Sequence, residues 1–453
     1  MSTPGRGSKS RAGLIGLGAV AAVLALAGLA ASQGPALPAH PVANLTPTGF
    51  LTQPIPDTTP NAAQVRRGRD LVIAGDCMSC HFRAGSPPFS GGLGLNTPFG
   101  VIYSSNITSD RETGIGDLTG DQFYHVMHDG IGPRGANIYP AMPYPAFSRM
   151  SRADDDAILA YLKTVPAVSY NHPANRLPFP LNIRFMVKGW NLLFFRPAAF
   201  QPDSTRSAEW NRGALLVEGP GHCGACHTPK NFLGADKSGR LLQSGTLDNW
   251  TAPNLTGAAR IGLGAWTPDE IVEYLKTGRN ARAGAGGSMA EVVSYSTSLM
   301  SDQDVRAIAV YLKSLPAAGE TTSPAPDAGA MKHGAAIYSD ACTACHLENG
   351  VGQPRFFPPL SHNAMLQQND PTSLLHVILA GSRTAPTATR TSPLTMPSFA
   401  WKLTDSQIAD VSTYIRNSWG NQATPISTSK VREIRRRLGL QTEHLTANSG
   451  DHG

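Results

Sequence analysis

Three stretches of the chain repeat one pattern of apolar and polar positions. They read SRADDDAILAYLKTVPA, MSDQDVRAIAVYLKSLPA and LTDSQIADVSTYIRNSWG, with apolar residues three and four positions apart. This period is typical of an amphipathic helix. Ser151, Ser301 and Thr404 stand at the N-cap position, with acidic residues after them and a lysine or arginine in the last turn. We therefore predict three equivalent helices, each of which closes one unit of a repeat.

Each closing helix has an opening partner upstream. The stretches QVRRGRDLVIAGD, EWNRGALLVEGPGH and AMKHGAAIYSDA share a glycine at an equivalent place: Gly68, Gly213 and Gly334. An apolar residue follows each glycine by four positions: Val72, Val217 and Tyr338. The closing helices carry a recurrent tyrosine: Tyr161, Tyr311 and Tyr414. Because glycine has no side chain, two helix backbones can approach closely where it meets an aromatic residue. We expect this contact to clamp the two ends of each unit together.

The repeat divides the chain into three domains. They span residues 60–170, 207–318 and 330–424, with linkers at 171–206 and 319–329. The first two share a further stretch, IYSSNITSDRETGIGDLTGDQFYHVMHDGI matching WTAPNLTGAARIGLGAWTPDEIVEYLKTGR, which the third replaces with a different segment. The 46 glycines and 36 prolines fit long loops between short helices. The pattern predicts an all-α protein with three domains in series and long loops.

An apolar run from Ala12 to Ala31 follows Arg6, Lys9 and Arg11 and precedes small residues. This order is typical of a secretory signal peptide, so we expect residues 1–31 to direct export and to be removed. A run of this length could instead remain as a membrane anchor, and a buried core helix is a third reading. Because Arg6 and Arg11 are not adjacent, the general secretory route is favoured over a twin-arginine route.

The basic residues concentrate at the two ends of the chain. The formal net charge is +6, yet residues 12–429 carry only +1. This distribution argues against a body that binds nucleic acid and favours termini that face a membrane.

Two segments bear on a membrane. In the basic tail, residues 425–453, one helical face carries Val431, Ile434, Leu438 and Leu445, with Lys430, Arg432, Arg435 and Arg436 around it. This is the pattern of an interfacial amphipathic helix, although a helix that packs on a partner subunit and a solvated tail are alternatives. In the linker segment WNLLFFRP, the side chains of Trp190, Phe194 and Phe195 could contact lipid or quinone, or could pack between domains.

All six cysteines lie in three motifs, CMSCH, CGACH and CTACH. A motif of this kind could be half of a zinc site, a redox-active pair or the attachment point of a c-type haem. Neither zinc binding nor a redox pair explains a histidine directly after every pair. The three copies therefore favour three covalently bound haem c groups, with the thiols forming thioethers and the imidazole ligating the iron. The cysteines are Cys77, Cys80, Cys223, Cys226, Cys342 and Cys345, and the histidines are His81, His227 and His346.

The sixth iron ligand decides whether a haem is open to small molecules or suited to electron transfer. Each unit offers a methionine between its haem motif and its closing helix: Met142, Met289 and Met396. Met142 and Met396 lie in proline-containing loops. Met127 lies in a helix-like stretch, Met150 stands at the start of the closing helix, and Met365 is better read as a packing residue. Met289 is preferred to Met300, which stands at the start of a closing helix. The other histidines are expected to be surface or packing residues: His125, His128, His222, His333, His362 and His376.

The chain resembles the membrane-bound tri-haem cytochrome c subunits of periplasmic dehydrogenases from Gram-negative bacteria, such as those of alcohol, gluconate and sorbitol dehydrogenases. The resemblance covers nearly the whole mature chain through the haem motifs and through GVIYSSNIT, TGIG, YPAMPYPAF, SAEWNRGALLVEGPGHCGACHTPKN, SMAEVV and WKLTDSQIADVSTYIRNSWGN. It implies cytochrome c-like domains, a flavin, quinoprotein or molybdenum catalytic subunit as electron donor, and ubiquinone in the cytoplasmic membrane as acceptor. It also implies a position on the periplasmic face of that membrane.

We identify no catalytic dyad, nucleotide loop or substrate carboxylates in the sequence. The function expected is therefore that of an electron-transfer subunit with no catalytic site of its own. A haem peroxidase and a stand-alone multihaem carrier are the alternatives.

Overall fold

The computed structural model describes residues 49–320 and 322–440. The predicted export segment, residues 1–31, and Leu445 of the predicted tail lie outside the described residues. Within the described residues, no helix combines the length and the apolar character needed to cross a bilayer.

The first unit contains five α-helices and one hairpin. They are α1 (Ala62–Ala74), α2 (Cys77–His81), β1 (Gly94–Thr97), β2 (Gly100–Tyr103), α3 (Gly120–Tyr124), α4 (Tyr144–Phe147) and α5 (Arg152–Leu162). Helix α3 continues into a π-helical turn, His125–Asp129. Helix α6 (Phe185–Phe194) lies in the linker to the second unit.

The second and third units repeat this plan with variations. The second contains α7 (Ala208–Glu218), α8 (Cys223–His227), a 3₁₀ turn (Ser238–Arg240), β3 (Gln243–Leu247), β4 (Trp250–Asn254), α9 (Pro268–Thr277), α10 (Ser288–Val292), a π-helical turn (Val293–Thr297) and α11 (Asp302–Ser314). The third contains α12 (Ala328–Ala341), α13 (Thr343–His346), α14 (Thr372–Ala380), β5 (Ser382–Arg383), β6 (Thr395–Met396), α15 (Asp405–Arg416) and α16 (Thr428–Arg437).

The closing helices α5, α11 and α15 begin at the predicted N-caps. The hydroxyl of Ser151 accepts a hydrogen bond from the Asp154 amide at 3.2 Å, and that of Ser301 accepts one from the Asp304 amide at 3.1 Å. Thr404 accepts one from the Gln407 amide at 3.3 Å. Each bond satisfies one of the free amide groups of the first helical turn. The three N-cap predictions are confirmed.

The opening and closing helices pair as predicted through their glycines. A Cβ atom built on Gly68 would overlap the carbonyl oxygen of Ala157, and it would lie 2.9 Å from the Cβ of Tyr161. Gly213 has the same relation to Ala307 and Tyr311, and Gly334 has it to Asp410 and Tyr414. Any larger residue would force the two helices apart. The same close approach therefore holds α1 to α5, α7 to α11 and α12 to α15.

The buried apolar side chains of the described residues form two clusters. One draws on both the first and the second unit and includes Val72, Tyr161, Val217 and Tyr311. The other belongs to the third unit and includes Tyr338. The first two units thus share one continuous core, to which the third adds Ala385, and the third encloses a core of its own.

The described residues are mostly helical, but the prediction of an all-α fold missed three short antiparallel hairpins. In the hairpin of β3 and β4, the turn residues Asp248 and Asn249 have φ values of 45° and 62°. Two successive positive φ values define a type I′ turn, which suits the twist of a hairpin. The strands are too short to leave a period of two in the sequence.

The apolar face of the predicted tail is covered by the chain's own third core. Val431, Ile434 and Leu438 are buried there. Arg435 is buried too, and its Nε donates a hydrogen bond to Asp405 Oδ1 at 2.8 Å. The expectation that this face contacts lipid is therefore wrong, because α16 is an integral helix of the third unit.

Candidate haem sites

Each Cys-x-x-Cys-His motif forms a short helix directly after its opening helix. In the first two units, the residue before the motif has a left-handed backbone, with φ 48° at Asp76 and 36° at His222. This turn separates α1 from α2 and α7 from α8. The cysteines are half-buried except Cys345, which is exposed. The thiols therefore lie at the edge of the folded chain, where a large group can be attached.

The three histidines are held in one and the same way. Nδ1 donates a hydrogen bond to a backbone carbonyl in each unit: His81 to Ser105 at 2.7 Å, His227 to Pro253 at 2.7 Å and His346 to Pro358 at 3.1 Å. A carbonyl oxygen can only accept, so the bond fixes the tautomer and leaves Nε2 unprotonated. This is the usual support of an imidazole that binds a metal through Nε2.

Burial lowers the pKa of all three histidines, and only the hydrogen bond to the carbonyl opposes it appreciably. The imidazoles are therefore neutral at physiological pH. A neutral imidazole is the form that ligates iron.

The buried thiols do not ionise readily to thiolates. Burial raises the pKa of Cys77 and Cys223 to about 12 and that of Cys226 and Cys342 to about 11. Redox pairs and zinc sites need thiolates and lower the thiol pKa instead. Within the described residues, no group of three or more His, Cys, Asp or Glu side chains is arranged to hold a metal ion. The donor set fits thioether attachment, which leaves no thiol to ionise.

The carbonyls that orient the histidines were missed from the sequence. Ser105 and Pro253 lie in the stretch that the first two units share. Next to them, the side chain of Asn106 donates to Val168 O at 2.6 Å, and that of Asn254 donates to Ala318 O at 2.8 Å. These amides tie the loop that carries each acceptor carbonyl to the chain that follows the closing helix. The repeated Asn-x-Thr in the sequence was the available signal.

The third unit reaches the same result with different residues. Its acceptor, Pro358, follows a tight turn in which Gln353 and Phe357 exchange backbone hydrogen bonds, each 2.8 Å long. The amide of Gly352 donates to His346 O at 3.1 Å. The third unit lacks the shared stretch, but His346 still donates its hydrogen bond to a backbone carbonyl.

The three methionines chosen from the sequence are half-buried. Met142 lies in the loop before α4, Met289 in the first turn of α10 and Met396 in β6. The rejected Met127, Met150 and Met300 are buried in the shared core, as expected for packing residues. Met365 is half-buried against the third core.

The first and second sites adjoin each other. His222, directly before the second motif, donates from Nε2 to the carbonyl of Gly75, two residues before the first motif, at 3.2 Å. The rings of Phe82 and Tyr295 meet edge to face with their centroids 6.1 Å apart. The two motifs therefore lie close together, with the residues that flank them in direct contact.

The second and third sites meet through their methionine segments. A Cβ on Gly286 would overlap the hydroxyl of Ser382, which pairs with Met396 in the hairpin of β5 and β6. Nearby, the rings of Trp250 and His376 stack with centroids 3.9 Å apart. The second site thus lies between the other two.

The other histidines among the described residues have protein partners or lie exposed. His376 donates to Asn249 O at 2.9 Å, and His125 and His128 bind Asp129. His333 lies 3.7 Å from Asp410, and His362 is exposed.

Comparison with known proteins agrees with this chemistry. The cytochrome c family model matches residues 211–316 and 331–419. The gluconate 2-dehydrogenase cytochrome c subunit of Pantoea cypripedii is 40% identical over 86% of this chain and 94% of its own. The cytochrome c subunit of the quinone-dependent alcohol dehydrogenase of Gluconobacter oxydans (strain 621H) is 39% identical over 82% of each chain. The fructose dehydrogenase cytochrome subunit of Gluconobacter japonicus is 35% identical over 86% of this chain and 87% of its own.

These matches define an electron-transfer protein of the cytochrome c class. More narrowly, the chain belongs to the family of cytochrome c subunits of dehydrogenases.

Proposed function

We propose that the chain is a tri-haem c-type cytochrome subunit that passes electrons from the catalytic subunit of a periplasmic dehydrogenase to ubiquinone in the cytoplasmic membrane. The observation that carries this proposal is the threefold hydrogen bond from a motif histidine to a backbone carbonyl. The relatives are subunits of gluconate, alcohol and fructose dehydrogenases, which supports a catalytic partner of this kind.

In each unit the two cysteines would hold the haem covalently and the motif histidine would ligate its iron. Met142, Met289 and Met396 would supply the sixth ligands. Haem with His/Met ligation carries one electron at a raised potential and has no open position. The protein's part is to fix each imidazole and to hold neighbouring sites together.

The contacts between sites support a relay. His222 and Gly75 join the first site to the second on the cysteine side, and Gly286 and Ser382 join the second to the third on the methionine side. Such contacts keep the three groups at fixed separations. The second site would therefore pass electrons between the other two.

The first test is the number and the ligation of the haems. We expect three haem c per chain by pyridine haemochromogen assay. Replacing Met396 by Leu should remove the methionine ligand of one low-spin His/Met haem. The near-infrared absorption band of that haem should then be lost. Met365→Leu, in the same unit, is the matched control and should leave the spectrum unchanged. An unchanged spectrum of the Met396 variant would refute the assignment.

The second test addresses electron flow. The chain should purify in detergent with a dehydrogenase subunit, its haems should be reduced by that subunit's substrate, and ubiquinone should reoxidise them. Peroxide turnover with high-spin haem would favour a peroxidase instead. Purification without detergent and without a second subunit would favour a stand-alone carrier.

A further inference from the structure

We infer that the outer face of the linker helix α6 is a lipid-binding surface, which rests on the bilayer and inserts its apolar side chains. The inference rests on the proposed function only for the presence of a membrane. It concerns a different surface from the predicted tail, whose apolar face is buried.

The helix α6 is anchored to the protein along one side. Val187 and Phe195 are buried, and the ring of Phe195 packs edge to face on Tyr144 at 5.1 Å. Asn191 accepts a hydrogen bond from the Tyr144 hydroxyl at 2.6 Å, and the indole nitrogen of Trp190 donates to Leu233 O at 3.0 Å. These contacts fix which side of the helix faces outwards.

The outward side is apolar. Phe185, Leu192 and Leu193 are 70%, 72% and 67% exposed, and Met186 is 47% exposed. A helix that is apolar on both its inner and its outer side is usually buried on both sides. In this chain nothing described covers the outer side. Of the residues named from the sequence, Trp190 and Phe195 pack inwards, so the lipid-facing set differs from the expected one.

The segment that contains this face carries only positive charge. No acidic residue occurs between Asp156 and Asp203, whereas Arg184, Lys188 and Arg196 lie on or beside α6 and are exposed. Lysine and arginine side chains are attracted to an anionic bilayer surface. Their long side chains can reach headgroups while neighbouring apolar groups enter the acyl region. Charge and apolarity therefore point to the same partner.

A lipid surface fits better than a protein partner. Protein interfaces form about one hydrogen bond per 100–200 Å². The outer side chains of Phe185, Met186, Leu192 and Leu193 offer no hydrogen-bonding group. Phe179, in the same linker, and Phe232, next to the Leu233 that binds Trp190, are also exposed, by 79% and 75%.

The test uses the full chain and vesicles of phosphatidylethanolamine with phosphatidylglycerol. Because the segment from Ala12 to Ala31 could hold the chain on vesicles by itself, the readout must be local. Vesicles containing a lipid with a photoreactive acyl chain should label residues 185–196, as mapped by mass spectrometry. Labelling confined to other segments would overturn the inference.

In a variant with Leu192→Ser and Leu193→Ser, the labelling of residues 185–196 should fall by about tenfold or more. The reason is that two exposed leucines no longer enter the acyl region. Its haem spectrum should be unchanged. The matched control is Phe356→Ser with Trp401→Ser, which removes exposed apolar groups from the third unit and should leave the labelling of residues 185–196 intact.

Two further outcomes are decisive. Replacing phosphatidylglycerol by phosphatidylcholine should reduce the labelling, since the cations then lose their partner. If instead the dehydrogenase subunit alone shields residues 185–196 from a water-soluble footprinting reagent, the surface binds protein and the inference is wrong. None of these measurements requires electron transfer. A negative result would therefore refute the lipid-binding surface and leave the proposed electron-transfer function untouched.

Discussion

Asp155 has a buried carboxyl group in the closing helix of the first unit, and neither of its oxygens has a hydrogen-bond partner. Its side chain is 1% exposed. At the same position after the N-cap, the second and third units carry the buried apolar residues Val305 and Ile408. Burial raises the pKa of Asp155 to about 8, and the neighbouring Asp154 and Asp156 add to the effect while Arg152 opposes it.

This carboxyl group should make the stability of the first unit depend on pH. The unfolded chain releases the proton near pH 3.8, whereas the folded chain keeps it up to about pH 8. The stabilising contribution is therefore complete below about pH 3.8 and is lost as the pH rises through 8. Thermal unfolding followed at pH 5 and pH 8 should show the loss.

Asp155→Val, which introduces the residue of the second unit, should stabilise the protein at pH 8 by roughly 1–3 kcal/mol, since a buried polar group without a partner is removed. It should also weaken the dependence on pH. Glu112→Gln, which removes an exposed carboxylate of the first unit that does not act on Asp155, is the control. An equal pH dependence in the Asp155 variant and the unmodified chain would contradict this explanation.

At the scale of helices, the glycine contact sets how closely each pair can pack. Gly68→Ala should destabilise the first unit by about 1–3 kcal/mol, because the added methyl group overlaps the carbonyl of Ala157. Gly189→Ala is a matched control, since it also lies in a helix but has nothing within 4 Å of its Cβ position. Alanine favours helix by about 1 kcal/mol over glycine, so the control should not lose stability. Chemical denaturation measures both, and an equal effect would refute the contact.

The sequence predicted much of this level of structure. The repeated caps, glycines and tyrosines are short-range patterns, and each of them is found in the folded chain. The hairpins were missed because their strands are too short to show a period of two. The packing of α16 was missed because its partners, such as Asp405, are distant in the sequence. At the candidate sites, the motif histidines could be named, but Ser105, Pro253 and Pro358 contribute only backbone oxygens. A backbone oxygen is present in every residue, so residue type gave no signal.

At the scale of the whole molecule, two cores imply two cooperative blocks. Ile408→Ala should weaken only the third unit, by about 2–4 kcal/mol, because it leaves a cavity in the third core. With the proposed haem c groups bound, the haem of the third unit should lose its proposed methionine ligand at a lower temperature, as followed by its absorption on heating.

Val305→Ala at the equivalent position in the shared core is the comparison. It should instead lower the transition of the other two haems together. A single transition for all three haems in both variants would show that the contacts between the second and third units override the separation of the cores.

The position of α16 also determines when the third unit can be completed. A chain is made from its N-terminus, and domains generally fold as they emerge. The shared core of the first two units needs little beyond residue 312, apart from Ala385. The third core needs Val431, Ile434 and Leu438. Its Cys-x-x-Cys-His segment must therefore wait, in an incompletely closed unit, until almost the last described residue has emerged, while the two earlier motifs can already lie in folded surroundings.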